Sequence, residues 1–260
     1  MDENLRDIRA FWNGRAKEHG IEYKASWEDY YCMQLEISTI VKYLNEGDRV
    51  LDIGCANGVG TMQIASEKNV AIKGIDYSEE MINAAQTILP EREKFFKGTV
   101  SFDNGDVLNL KEQGQSYDKA ITKRVVINLK TIDNQTKAAR EIHRILVPGG
   151  CFLMSEATTG GLQKINALRK EFGLEELKQP WHNLYIDEDS FVRNMRGLFE
   201  IVDIISFSST YYIGSRVVQP FVKKLLNQPP NYLSEINRVF SLLPPCGDYG
   251  IQKLFVFRKV

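Results

Sequence analysis

Val50-Leu51-Asp52-Ile53-Gly54-Cys55-Ala56-Asn57-Gly58-Val59-Gly60-Thr61 opens as an apolar strand, turns through glycines and runs on into a helix start. Strand, glycine-rich turn and helix in that order make a nucleotide-binding geometry. Glycine lets the backbone approach a ligand closely, and the helix N-terminus favours an anionic group. The same residues would also serve as a tight strand-to-helix turn with no ligand. A dinucleotide fingerprint G-x-G-x-x-G beginning at Gly54 needs glycines where Ala56 and Val59 stand, so NAD binding is disfavoured.

Outward from this segment, short apolar runs alternate with helical patterns. Strands are predicted at Arg49–Ile53, Ala71–Ile75, Val100–Asp103, Lys119–Thr122 and Gly150–Ser155, with helices near 59–68, 78–88 and 133–146 between them. The last of these helices is expected to start at Asp133 as N-cap and to stop at Pro148-Gly149-Gly150. Such alternation predicts an α/β fold with a parallel sheet and crossover helices. Upstream, residues 3–19 and 30–43 carry apolar positions at helical spacing. Downstream of Glu156 come helical pieces at 161–173 and 187–197, a strand Phe199–Phe207 and a last strand Leu254–Phe257. Some 40 residues rich in Tyr and Pro separate those two strands, with helices expected near 217–226 and 231–242.

Composition narrows the class. A chain of 260 residues can bury a full core as one domain. Its formal net charge of −1 gives no global basic field for nucleic acid or anionic membranes, so neither is expected as a partner. The apolar runs are too short for a membrane span, and MDENLRDIRAFW is too acidic for a signal peptide. Cys32, Cys55, Cys151 and Cys246 are scattered without C-x-x-C spacing, which reads as reduced thiols in a cytosolic protein, with no metal site.

The Val50–Thr61 segment resembles motif I of the class I S-adenosylmethionine-dependent methyltransferases, V-L-D-x-G-C-G-x-G, with Ala56 in place of the middle glycine. Gly74-Ile75-Asp76-Tyr77, Gly105-Asp106-Val107-Leu108, Tyr117-Asp118-Lys119-Ala120-Ile121 and Leu146-Val147-Pro148-Gly149-Gly150 follow in the family's order, covering roughly residues 48–156. The resemblance implies a Rossmann-like seven-stranded, mostly parallel sheet of order 3-2-1-4-5-7-6 with helices on both faces. It also implies a division into an N-terminal helical lid (1–45), a cofactor-binding core (46–156) and an acceptor-side half (157–260) with a helical insert (208–250). S-adenosyl-L-methionine is the implied cofactor and S-adenosyl-L-homocysteine the product.

By the same resemblance, Asp52 lies near the methionine amine, and Gly54, Cys55, Asn57 and Gly58 border the amino-acid end of the cofactor. Asp76 takes the ribose hydroxyls, Tyr77 and Met81 cover ribose and adenine, Asp106 and Val107 meet the adenine, and Lys123 adds a contact after strand four. Asp76 could instead be a helix-start residue, although Ser78 caps as well. Phe11-Trp12-Asn13-Gly14-Arg15-Ala16 and Trp27-Glu28-Asp29-Tyr30-Tyr31 are similar to lid segments of small-molecule members, where Arg15 would pair with the methionine carboxylate. The alternative is that these aromatics pack the core and Arg15 is solvated.

Ligands of open parallel sheets bind beyond the carboxyl ends of the strands, which selects Arg124, Asn128, Tyr211, Tyr212, Asp248 and Tyr249 as acceptor-binding candidates. Methyl transfer is an in-line displacement that rests on positioning, with a base needed when oxygen is the acceptor. His182, in a polar loop, is the base candidate, against a plain surface histidine; Glu156 is the second catalytic candidate, or a holder of a substrate hydroxyl. The metal-dependent catechol and amino-DNA subclasses lack their motifs here. The segment after Glu156 resembles bacterial enzymes of surface-polysaccharide and glycan modification, which points to a small-molecule or sugar-like acceptor methylated at oxygen. N-methylation of an amine, methylation of a phosphoryl-linked group and a non-catalytic cofactor-binding partner role remain as alternatives.

Overall fold

The computed structural model describes residues 3–260, with side chains described from Leu5 onward. Seven strands form one sheet: β1 (Arg49–Ile53), β2 (Ala71–Asp76), β3 (Thr99–Asn104), β4 (Tyr117–Lys123), β5 (Leu146–Ala157), β6 (Phe199–Ile205) and β7 (Gln252–Lys259). Their order is β3-β2-β1-β4-β5-β7-β6, and β7 alone runs antiparallel to both of its neighbours. The expected order is therefore the observed one. Central β1 is buried from Val50 to Ile53, and β7 is buried from Gln252 to Phe257, so both strands are covered on both faces and are mainly apolar, with Asp52, Gln252 and Lys253 as buried polar exceptions. Edge strands β3 and β6 expose most of their residues, which is why their patterns are mixed and charged.

The helices are α1 (Glu3–His19), α2 (Tyr30–Val41), α3 (Val59–Glu67), α4 (Glu79–Arg92), α5 (Ile132–Ile145), α6 (Thr159–Glu171), α7 (Glu188–Asn194), α8 (Ser209–Tyr212), α9 (Gln219–Leu225) and α10 (Glu235–Leu242). Helix starts follow side-chain capping: Ser78 accepts from the Met81 N–H, Thr158 from Gly161 and Asp187 from Ser190. The expected cap at Asp133 is corrected to Thr131, whose hydroxyl accepts from Asn134; Asp133 lies in the first turn, where its charge suits the helix dipole. α5 buries Ala138, Ala139, Ile142 and Ile145 and ends in His143 and Arg144.

Two boundaries depart from the sequence expectation. Pro148-Gly149-Gly150 lies inside β5, where the register against β4 shifts between Tyr117 and Lys119 and absorbs the proline. The insert holds more helix than expected, because a π-helical turn, Ile213–Val218, joins α8 to α9. α1 lies against α4, and α10 packs on α2, so the first and last thirds of the chain meet over the sheet. No helix among the described residues is long and apolar enough to cross a membrane.

Candidate active site: two adjoining clefts at the strand ends

β1 and β4 are the neighbours at which strand order reverses, and a cleft opens beyond their carboxyl ends. The turn after β1 makes its floor. Gly54 (φ +69°) and Gly58 (φ +75°) hold left-handed conformations; a Cβ at Gly54 would meet Val125 Cγ2 at 2.2 Å and one at Gly58 the Phe102 ring at 2.5 Å. Ala56 adopts φ +50°, so the left-handed turn survives without the middle glycine, at some cost in strain. Gly54, Cys55 and Ala56 line the cleft. Burial, then the charges of Asp76 and Asp52, push the Cys55 thiol up, leaving it neutral.

Asp76, at the end of β2, is buried and lines the same cleft. Its carboxylate accepts the Ala56 N–H at 3.0 Å and the Ser78 N–H at 2.9 Å, one per oxygen, so each oxygen keeps acceptor capacity. Burial pushes its pKa up to about 6 in spite of those bonds. Tyr77, Met81, Asp106 and Val107 also line the cleft, and the Tyr77 hydroxyl is buried without a hydrogen-bond partner among the described residues. Beyond β4, Lys123, Arg124 and Asn128 complete the wall, and α1 closes it with Leu5, Ile8 and Trp12.

Asp52 does not reach the cleft. It is fully buried, with its oxygens taken by the Thr61 hydroxyl at 2.5 Å and the Lys123 ammonium, so Lys123 is the group presented instead. Asn57 is likewise displaced from the expected role: its amide donates to the Gly20 and Glu22 carbonyls, tying the N-terminal segment to the turn. Gly58 lies beneath the surface against Phe102 and serves as the α3 N-cap.

A second cleft adjoins the first, and Trp12, Ser26, Arg124 and Asn128 line both. Aromatic walls come from Phe11, Trp12, Trp27, Tyr185, Tyr212 and Tyr232. Arg15 belongs here and not at the cofactor end, because it pairs with Glu28 at 3.0 Å and with the Lys24 carbonyl. Arg124 pairs with buried Glu36 and lies over the Trp27 ring at 4.2 Å. Asn128 accepts from Trp12 Nε1 at 3.3 Å and donates to the Arg124 carbonyl at 2.5 Å, which fixes the shared wall.

His182 lines this second cleft, stacked on Phe11 at 4.7 Å with Trp12 and Trp181 edge-on. Its Nδ1 is buried without a partner among the described residues, and burial together with the Lys130 charge holds its pKa below the ordinary histidine value, so the imidazole is neutral at pH 7. Glu156 is elsewhere. It is fully buried, lines neither cleft, and accepts the N–H groups of Val125 at 3.0 Å, Val126 at 2.9 Å and Ile127 at 3.3 Å. It anchors the 3-10 turn Val126–Leu129 that carries Asn128, which corrects its expected catalytic or hydroxyl-holding role. Burial raises its pKa to about 7.

Of the acceptor candidates from the insert, only Tyr212 lines the chamber. The Tyr211 hydroxyl is committed to Asp29, Asp248 is held by Lys164 and Lys253, and the Tyr249 N–H donates to Ser209 at 3.0 Å. Arg216 and Asp29 line the second cleft and Glu36 the first, and the motif reading gave none of them a role. A sequence signal existed for Glu36, a carboxylate inside the apolar stretch of α2. Among the described residues, no group of three or more His, Cys, Asp or Glu side chains is placed to hold a metal.

A family model described as a methyltransferase domain matches residues 44–189. A carboxy-S-adenosyl-L-methionine synthase of Nautilia profundicola is 28% identical over 56% of this chain and 60% of its own length. A demethylmenaquinone methyltransferase of Leptospira interrogans is 33% identical over 40% of this chain and 41% of its own. The chain thus spans between two fifths and three fifths of these relatives; others bear the names O-methyltransferase and N-methyltransferase. The magnesium protoporphyrin IX methyltransferase of Synechocystis PCC 6803, solved with bound SAH, shares the fold with TM-score 0.63 at 14% identity, covering 98% of this chain and 99% of that one.

Proposed function

This chain belongs to the S-adenosylmethionine-dependent methyltransferase domain family, and from that premise we propose that it transfers a methyl group to a small-molecule acceptor held in the second cleft, at oxygen ahead of nitrogen. The observation that carries this reading is the adjacency of the two clefts through Trp12, Ser26, Arg124 and Asn128. The donor set of the first cleft fits an adenosyl group: a buried carboxylate with spare acceptor capacity at Asp76, an orphan hydroxyl at Tyr77 and an acid at Asp106. Asp76 would take both ribose hydroxyls, Tyr77, Met81 and Val107 the adenine, Asp106 its amine, and Lys123 the carboxylate of the methionine end. When bound, the cofactor supplies a methyl carbon activated by the adjoining sulfonium.

The protein's own work is positioning and proton removal. Arg124 and Asn128 are rigid at the junction, through Glu36, Trp27 and Trp12, so an acceptor seated between them is held at a fixed angle to the first cleft. Aromatic walls suit a sugar or aryl ring, so a sugar-like acceptor, including one from surface-polysaccharide modification, is compatible with them. His182, neutral and with an unpaired nitrogen, takes the hydroxyl proton. His182→Ala is expected to lower kcat roughly 10²–10⁴-fold with unchanged cofactor affinity. The acid limb of the wild-type kcat profile then lies below pH ~6.5 and vanishes in the variant. An acceptor screen read by gain of one methyl group identifies the substrate; turnover of His182→Ala at the wild-type rate would remove the base, and cofactor binding without transfer to any acceptor would favour the partner role.

A further inference from the structure

Methyl transfer to a neutral hydroxyl leaves one group in the second cleft without a task. Arg216 stands on the π-helical turn Ile213–Val218 with its side chain only 11% exposed. Such turns are rare, and they are found frequently at functional sites. One arm of the guanidinium, Nη2, donates to Asp29; the other, Nη1, is buried and has no hydrogen-bond partner among the described residues. A guanidinium cannot shed its charge, and a buried donor left unpaired is costly, so this arm is poised for an acceptor that is not in the chain.

Asp29 does not meet that arm: its bond to Arg216 is to Nη2. Its Oδ1 already accepts the Tyr211 hydroxyl and the Cys32 N–H at 3.2 Å, and its Oδ2 the other arm of Arg216. The remaining charges of the cleft lean positive. Arg15 is paired with Glu28 and Arg124 with Glu36, whereas Lys178 at the rim forms no ion pair among the described residues. Buried Arg169 donates to the backbone carbonyls of Glu175 and Arg216 and adds a second guanidinium beside Arg216. Burial, then the charge of Arg216, holds the pKa of Arg169 below the ordinary arginine value.

The aromatic faces point the same way. Arg216 lies over the rings of Tyr212 at 5.0 Å and Tyr232 at 4.6 Å, and Arg124 over Trp27 at 4.2 Å. Three rings that could have caged an ammonium group are already occupied by cations of the protein.

We propose that the Arg216 end of the second cleft binds an oxyanion, a carboxylate or phosphate carried by the methyl acceptor, with Nη1 of Arg216 as its donor. The acceptor then spans from Arg216 to the Arg124–Asn128 junction, where the methylated atom sits. This rests on the reading of the second cleft as the acceptor site.

Trp12 and Trp27 line the cleft and report its occupancy by fluorescence. Phenyl phosphate, benzoate and neutral benzamide are titrated at constant ionic strength, with S-adenosylhomocysteine binding measured by calorimetry on the same samples. At least one anion is expected to bind roughly tenfold or more tightly than benzamide, and the stronger of the two names the oxyanion. Arg216→Lys keeps a cation for Asp29 but loses the fork, and is expected to reduce the preference about tenfold. The double variant Asp29→Asn/Arg216→Gln removes both charges and should abolish it. Benzamide binding as tightly as both anions in the wild type, or a preference undiminished in a folded variant, overturns the proposal. If S-adenosylhomocysteine binds while the anions do not, the oxyanion site alone falls. If S-adenosylhomocysteine does not bind, the assignment of the first cleft falls with it.

Discussion

The first cleft takes its lining from the ends of four consecutive parallel strands, through Gly54 to Ala56, Asp76 and Tyr77, Gly105 to Leu108, and Lys123 to Val125. The second takes Phe11 from α1, Trp27 from the segment before α2, His182 from the loop after α6, Arg216 from the insert and Gln252 from β7. Backbone geometry defines the former: left-handed turns, N–H groups on Asp76, and strand ends at one level of the sheet. Ion pairs between residues far apart in sequence hold Lys123 on Asp52 in the former, Arg216 on Asp29 in the latter, and Arg124 on Glu36 in the wall they share. A site at strand ends follows from topology, whereas a site built from distant segments depends on the whole fold being assembled.

Glu156 links the two clefts by holding the turn that carries Asn128, and its loss should be the largest stability effect. Glu156→Ala strands three N–H groups, those of Val126 and Ile127 buried and that of Val125 part-buried, and is expected to cost on the order of 4 kcal/mol, at about 1–3 for each unpaired group after partial rescue by water. Glu156→Gln keeps an accepting oxygen and should cost about 1–2 kcal/mol. Urea unfolding measures both, and an unchanged midpoint in the alanine variant would show the turn to be held by other means.

Asp76→Ala separates the clefts functionally. Loss of two hydroxyl hydrogen bonds should weaken cofactor binding by about 2–3 kcal/mol while the Trp27 response to aryl anions persists. Calorimetry showing equal affinity in variant and wild type would take the ribose assignment away from Asp76.

The pH dependence is smaller and sharper. Hydroxyl donors favour the ionised form of Asp76, whose pKa in the free protein is about 6, so cofactor affinity should be full above pH 6 and fall towards about tenfold per pH unit below it. In the cofactor-free protein the sign is opposite. Asp76 and Glu156, raised from 3.8 to about 6 and from 4.5 to about 7, contribute stability that is fully present below the unfolded values and lost as pH rises through 6 and 7. The increase in Tm given by S-adenosylhomocysteine should therefore grow from pH 5 to pH 8; a constant increase would contradict it.

The smallest effect is expected where the sequence reading and the structure differ most. Asp248→Asn breaks a half-exposed pair with Lys164 and one with Lys253, outside both clefts, and should cost about 0.5–1 kcal/mol with kcat and KM unchanged. A raised KM would return Asp248 to the acceptor site.

Motif order from Asp52 to Gly150 carried the sheet order and the place of the first cleft, because short segments at strand ends encode both. Asp76, Tyr77, Met81, Asp106 and Val107, expected to share one site, all line the first cleft. Asp52 and Asn57 sit in the right segment but turn their polar atoms to Lys123, Thr61 and the N-terminal loop. Which way a side chain in a motif spends its hydrogen bonds depends on partners that the motif does not contain.

Period and punctuation along the chain determined where the strands and helices lie and that they form a doubly wound sheet, since those signals are local and repeat at the spacing of the backbone. Tertiary structure alone decided that Glu156 is an anchor and not a catalyst, that Arg15 faces the second cleft, and that Arg216 meets Asp29 and two tyrosines. Those outcomes turn on burial and on pairing across the fold, and the energy of a charge is set by the groups around it, not by its neighbours in sequence.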